Sequence, residues 1–175
     1  APGPAGGDGA AYVFERVGTV WFERQKVVSG QVDVAGDGFG SSVGVSGNWA
    51  VVGAEYDSDI ASNAGSGFVF EFDGFEWLLR DTLLAADISA DQQFGNGIGM
   101  DGDSIVVSAS GPGGGVYVYA RSGSLWPQEA KLNSPAGQLI SAVAISGDTV
   151  IAGASSDATE AVNAGAAYIY RRPFS

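Results

Sequence analysis

Three oxygen-bearing side chains, Asp57, Asp59 and Asn63, crowd one short stretch, Glu55-Tyr56-Asp57-Ser58-Asp59-Ile60-Ala61-Ser62-Asn63-Ala64-Gly65. A second stretch, Ser155-Ser156-Asp157-Ala158-Thr159-Glu160-Ala161-Val162-Asn163-Ala164-Gly165, aligns with it and sets Asp157 opposite Asp57 and Asn163 opposite Asn63. Carboxylates and carbonyls gathered in a loop are the donors that Ca2+ takes, so Asp57, Asp59, Asn63, Asp157 and Asn163 are the candidate metal ligands. The same residue types also brace turns by bonding to nearby backbone, and that needs no ion. Asp33 with Asp37, and Asp87 with Asp91, are pairs four residues apart, each shortly before a Phe-Gly dipeptide. Paired carboxylates can serve acid and base chemistry or bind metal. Their recurrence at equivalent places favours a structural role repeated along the chain, because a catalyst needs one asymmetric constellation.

Composition removes other chemistries. Among 175 residues there is no His and no Cys. Thiol nucleophiles, disulfides, Cys/His zinc sites and histidine bases are therefore excluded. No phosphate-cradling GxxxxGK[ST] occurs, and no run is apolar enough for a membrane helix. The net charge of −12 opposes nucleic acid and anionic membrane surfaces. Eleven of the acids lie between Glu55 and Asp103, against the single base Arg80. The chain opens on Ala1 rather than Met, which fits a removed leader as well as a piece of a longer chain.

Tryptophans are the remaining candidates. Trp21, Trp77 and Trp126 each follow an aromatic triplet at the same distance, which points to packing rather than to ligand stacking. Trp49 has Ser104 and Thr149 at its equivalent positions, so it is the candidate for a specific contact with a ligand or partner, the alternative being that it fills the core.

The elements that carry these residues are repeats. Tyr12-Val13-Phe14, Phe68-Val69-Phe70, Tyr117-Val118-Tyr119 and Tyr168-Ile169-Tyr170 are spaced by 56, 49 and 51 residues. Each triplet has a Gly three residues ahead of it: Gly9, Gly65, Gly114 and Gly165. Between the triplets lies a second block, FGSSVGVSGNWAVVGA from Phe39, FGNGIGMDGDSIVVSA from Phe94 and LISAVAISGDTVIAGA from Leu139. Length differences fall only in the connections between blocks, where loops tolerate them. One unit reads as four strands. Strand a covers Phe39–Val45 and strand b Trp49–Ala54, with a Gly-centred turn at Ser46-Gly47-Asn48. Strand c covers Gly67–Phe72 and strand d Glu76–Leu84, with a turn at Asp73-Gly74. A unit of this size cannot hide both faces alone, and stacking such units around an axis gives an all-β, antiparallel β-propeller.

At this point the residues resemble the FG-GAP repeat family of integrin α-chain and microbial propellers. Phe39-Gly40 and Phe94-Gly95 match its "FG", and Val52-Gly53-Ala54 and Ala152-Gly153-Ala154 match its "GAP" without the Pro. Leu139-Ile140 and Ser108-Ala109 depart from the pattern. No stretch matches the family's calcium loop fully, so the resemblance leaves Ca2+ open. It implies the fold and is weak on function.

Residues 1–8 form a tail and 9–175 the blades: part of one over 9–38, whole ones over 39–93 and 94–138, and part of a last over 139–175. That is about three blades' worth, opening and closing in mid-blade, where a ring takes about four to eight. The expectation is a secreted or cell-surface, non-catalytic interaction and assembly module. Its ring would be completed by a protein partner or by further copies. A carbohydrate-binding, lectin-like propeller is the alternative, and glycans are then the ligands. An enzyme would need residues outside this chain.

Overall fold

The computed structural model describes residues 9–30, 36–133, 139–158 and 164–172. Among these, thirteen strands and no helix make four antiparallel sheets. β1 (Ala11–Val17) and β2 (Val20–Val27) pair as a c–d unit. β3 (Phe39–Ser46), β4 (Trp49–Ala54), β5 (Ser66–Phe72) and β6 (Trp77–Leu83) form a complete a–b–c–d sheet. β7 (Phe94–Asp101), β8 (Ser104–Ala109), β9 (Gly115–Ala120) and β10 (Gln128–Leu132) repeat it. β11 (Ala142–Ser146), β12 (Thr149–Ala154) and β13 (Ala166–Arg171) supply a, b and c of a last blade. The strand order is the one that the block repeat predicts, and expected ends shift by a single residue: a runs on to Ser46, c starts at Ser66, and d spans Trp77–Leu83.

Local chemistry explains the elements. The unbroken apolar runs of β4, β5, β8 and β9 form inner strands buried along nearly their whole length. The a–b hairpins close on two residues, since Ser46 faces Trp49, Asp101 faces Ser104 and Ser146 faces Thr149. Their first loop residues, Gly47, Gly102 and Gly147, have φ of +57°, +54° and +52°, a conformation that glycine enters without a Cβ penalty.

The core lies between the sheets, in three layers of matched chemistry. Ala11 and Val27 of the first blade meet Phe39, Phe68 and Phe70 of the second. Val51, Val69 and Leu83 of the second meet Phe94, Tyr117 and Tyr119 of the third. Val106, Val116 and Val118 of the third meet Ile140, Tyr168 and Tyr170 of the last. Each blade thus sends aliphatic side chains forward and receives them on an aromatic face. Full burial of each Val, Leu, Ile or Phe side chain among them contributes about 1.5–3 kcal/mol. This is the stacking of β-propeller blades.

One expected equivalence changes. Leu139 aligns with Phe39 and Phe94, yet it is half exposed, and the fully buried side chain is Ile140. Gly40 and Gly95 follow their Phe at φ of +93° and +92°. Ile140 does not take that left-handed turn, so the chain enters the core one residue later.

Candidate interaction surface

Blade contacts are locked by polar clasps that recur in geometry while the residue types vary. The Gly102 N–H donates to Ser46 Oγ at 3.0 Å, and the Gly147 N–H donates to Asp101 Oδ2 at 2.7 Å. At the outer edge the Trp77 N–H donates to Gln25 Oε1 at 2.7 Å, and Gln25 Nε2 donates to the Trp77 carbonyl at 2.9 Å. One blade on, the Trp126 N–H donates to Asp81 Oδ2 at 2.7 Å. The Tyr119 hydroxyl donates to the Leu84 carbonyl at 2.7 Å, and the Tyr170 hydroxyl to the Asn133 carbonyl at 3.1 Å. Each joins one blade to the next.

The d–a connection ahead of β7 joins a polar network to the third blade. Gln92 Nε2 donates to the Tyr117 hydroxyl at 2.7 Å, which donates to Asp87 Oδ1 at 2.9 Å. Lys131 Nζ donates to Asp87 Oδ2 at 2.6 Å and stands 5.2 Å from the centre of the Tyr117 ring. Burial pushes the Tyr117 hydroxyl far above its ordinary range, and Asp87 adds to the shift. Burial does the same to Tyr119, with Tyr117 and Asp87 adding. For Asp87, burial pushes the carboxyl up, but the bonds from Lys131 and Tyr117 outweigh it and hold it below the usual value. A tyrosine kept neutral beside an ionised aspartate is a latch, since it cannot serve as a base near neutral pH. Asp91 turns elsewhere and accepts from Asn63 Nδ2 at 2.9 Å, so the pair Asp87 and Asp91 serves two different contacts.

The candidate Ca2+ ligands are placed as follows. Asp57 is 3% exposed, and its Oδ1 accepts the Asp59 N–H at 2.9 Å. Its backbone closes the loop: its N–H donates to the Ala54 carbonyl, and its carbonyl accepts the Gly65 N–H at 3.0 Å. Asp157 repeats both backbone bonds with Ala154 and Gly165, and its Oδ2 accepts the Tyr168 hydroxyl. Asp57 Oδ2 is buried with no donor. The Asp59 residue is exposed, and Asn63 spends its amide on Asp91. Asn163 lies outside the described residues, as does Asp33. Among the described residues no three acidic side chains converge in a way that could hold a metal ion.

Trp49 is buried against the next blade. Its ring meets Trp126 edge-on, with centroids 5.5 Å apart, and the Arg121 guanidinium stands 5.4 Å from its centre. Of the repeated tryptophans, Trp126 is buried, Trp77 half-buried and Trp21 exposed. Trp21 is open because no described blade precedes its sheet.

That difference locates the surface. Val51 and Val69 are fully buried by the third blade, and Val106 and Val118 by the last. Their counterparts on the last blade, Ile151 and Ile169, are open, Ile169 to 68%. On the first blade the aromatic side is open instead, with Phe14 at 52% beside Tyr12. Next to it, a groove of about 460 Å3 runs between β1 and the β3–β4 hairpin, floored by Val43, Val45, Ala50, Val52 and Phe70. Sequence reasoning found these residues as strand positions but not as a surface. Exposure depends on which neighbour is present, and periodicity cannot carry that.

A family model described as FG-GAP repeat matches residues 21–70, 77–124 and 141–170. No curated protein matches the chain significantly. None of its described segments is a helix long and apolar enough to cross a membrane.

Proposed function

The chain belongs to the FG-GAP repeat family, and we propose that it is a non-catalytic protein-interaction module of the cell exterior, engaging a protein partner or further copies through its outer blade faces. Such repeats typically occur in extracellular and surface proteins, and the family is generally non-enzymatic. The observation that carries the reading is the open Ile151–Ile169 face, whose equivalents are buried in both preceding blades. An apolar sheet face rimmed by polar residues is a protein-binding surface in kind. Hydrogen bonding supports the non-catalytic part, since Asp87 is engaged by both Tyr117 and Lys131 of the third blade. Light scattering across a concentration series tests it. The expected mass rises above the monomer and returns to it in Ile169→Asp. A mass equal to the monomer throughout, with no change in the variant, counts against assembly through this face.

Two finer readings each have one observation behind them. For Ca2+ it is the orphan Oδ2 of Asp57; no group of three acidic side chains forms among the described residues, so a bound ion would draw also on backbone carbonyls and water. For glycans it is the exposed ring of Trp21. Ca2+ titration followed by melting temperature, and a glycan array, separate both from the protein-binding reading.

A further inference from the structure

We infer that a recess between the second and third blades, beside the outer strand β6, seats a peptide segment of a partner protein that carries an aliphatic side chain next to an arginine or lysine. The inference rests on the protein-interaction reading and adds the chemistry of the partner segment.

The recess measures about 450 Å3 and lies between two complete four-stranded sheets. Asp81, Leu84 and Ala86 line it from the second blade and the connection after it, and Leu125 and Pro127 from the third. Its size falls in the range of ligand clefts, about 300–1,000 Å3.

Three departures from the repeat meet there. First, Trp126 turns inward. It is 2% exposed and packs edge-on against Trp49, whose equivalents are Ser104 and Thr149, whereas Trp77 at the equivalent place is only half-buried. Second, Pro127 follows it where the second blade has Leu78. β6 begins at its Trp, paired with Phe72, but β10 begins only at Gln128. Proline has no N–H to give to a ladder, so the strand starts later. Third, Leu125 stands where the preceding blade's turn has Glu76, and it is 58% exposed. Leu84 and Pro127, on the same recess, are exposed as well. Three apolar side chains thus meet solvent around one concavity.

The polar groups state what else the occupant carries. Gln25 answers both backbone groups of Trp77, accepting from its N–H and donating to its carbonyl. At the equivalent place Asp81 accepts the Trp126 N–H at 2.7 Å, but a carboxylate has no hydrogen to donate in return. Asp81 also brings a negative charge to the recess. Among the described residues no cation pairs with it, and the neighbouring Arg80 is held by Glu71 at 2.9 Å. The stretch from Glu55 to Asp103 holds eleven acids against that one base. A guanidinium or ammonium complements Asp81, and an aliphatic side chain complements Leu84, Leu125 and Pro127.

The test uses the whole chain and the fluorescein-labelled peptide Arg-Leu-Arg-Leu-Arg, followed by fluorescence anisotropy. Saturable binding is expected. Leu125→Ser should weaken it at least ~10-fold, and its exposed place in a turn leaves the fold intact. Asp81→Asn, which keeps an oxygen for the Trp126 N–H, should also weaken it at least ~10-fold. The peptides Arg-Ser-Arg-Ser-Arg and Glu-Leu-Glu-Leu-Glu should each bind at least ~10-fold more weakly, and Ile169→Asp, on a different blade, should change nothing. Absence of saturable binding overturns the inference. So does binding that the Arg-Ser peptide matches and that ignores Leu125→Ser, since that is attraction between opposite charges alone. Light scattering of the wild type and Ile169→Asp reads the outer-face assembly separately. Assembly without peptide binding fells this seat and leaves the interaction reading standing, whereas peptide binding by a strict monomer upholds the seat and fells assembly through the outer face.

Discussion

At position 68 the repeat carries Phe, where its counterparts are Tyr12, Tyr117 and Tyr168. The consequence is visible one loop away. Tyr168 donates its hydroxyl to Asp157 Oδ2, while Asp57, in the same loop geometry, has a buried Oδ2 with no donor. A buried polar atom left unsatisfied costs about 1–3 kcal/mol. Phe68→Tyr supplies the missing hydroxyl at the place where Tyr168 has it. The expected gain is about 1 kcal/mol, read as a melting temperature raised by about 2–4 °C. In an Asp57→Ala background the same substitution should give no gain, which ties the effect to the pair rather than to general packing. A gain that persists without Asp57 would mean that the oxygen is not the hydroxyl's partner.

Glycine does its work at the level of the element. Gly95 combines two demands: φ of +92°, and a close approach in which a Cβ would stand 2.5 Å from the Ser66 carbonyl oxygen. Gly102 has only the first, at φ +54° with open space around it. Gly102→Ala should cost about 1–2 kcal/mol, the left-handed penalty alone. Gly95→Ala should cost at least about 1 kcal/mol more, because backbone of two blades must move apart. Urea unfolding of both variants checks the order, and equal costs would refute the close-approach argument. These elements were legible in the sequence for a physical reason: turn glycines and period-matched apolar runs are read by residue type. The clasps were not. Ser46 and Asp101 do one job, as do Gln25 and Asp81, because any side-chain oxygen at that place can accept the next blade's N–H. The bonding partner of Asn63 was not legible either. Residue type announces an oxygen, but only the loop shows that Asn63 turns its amide to Asp91. Trp49, singled out because it breaks the repeat, packs edge-on against Trp126, a contact with a residue far along the chain.

Across the whole molecule the three interfaces are alike in shape and unlike in chemistry. The first is aromatic without hydroxyls, since Phe39, Phe68 and Phe70 face Ala11 and Val27. The second buries Tyr117 and Tyr119, both held neutral by burial and by the Asp87 charge. In an array whose units touch only their neighbours, stability is close to a sum of unit and interface contributions, so one interface can fail before the others. Both hydroxyls have folded-state values raised above the ordinary tyrosine value of about 10, so the folded state favours the neutral form. Their contribution is complete below about pH 10 and is lost as pH rises further, because the unfolded chain releases those protons first. Melting temperature should therefore fall steeply above about pH 10. The double variant Tyr117→Phe, Tyr119→Phe should be less stable near neutral pH, having lost the bonds to Asp87 and Leu84, yet should show a shallower alkaline decline. Because Trp49 and Trp126 meet across this same interface, their emission should redden over the pH range in which the decline occurs. An alkaline slope identical in the wild type and the double variant would move the weak point to another interface.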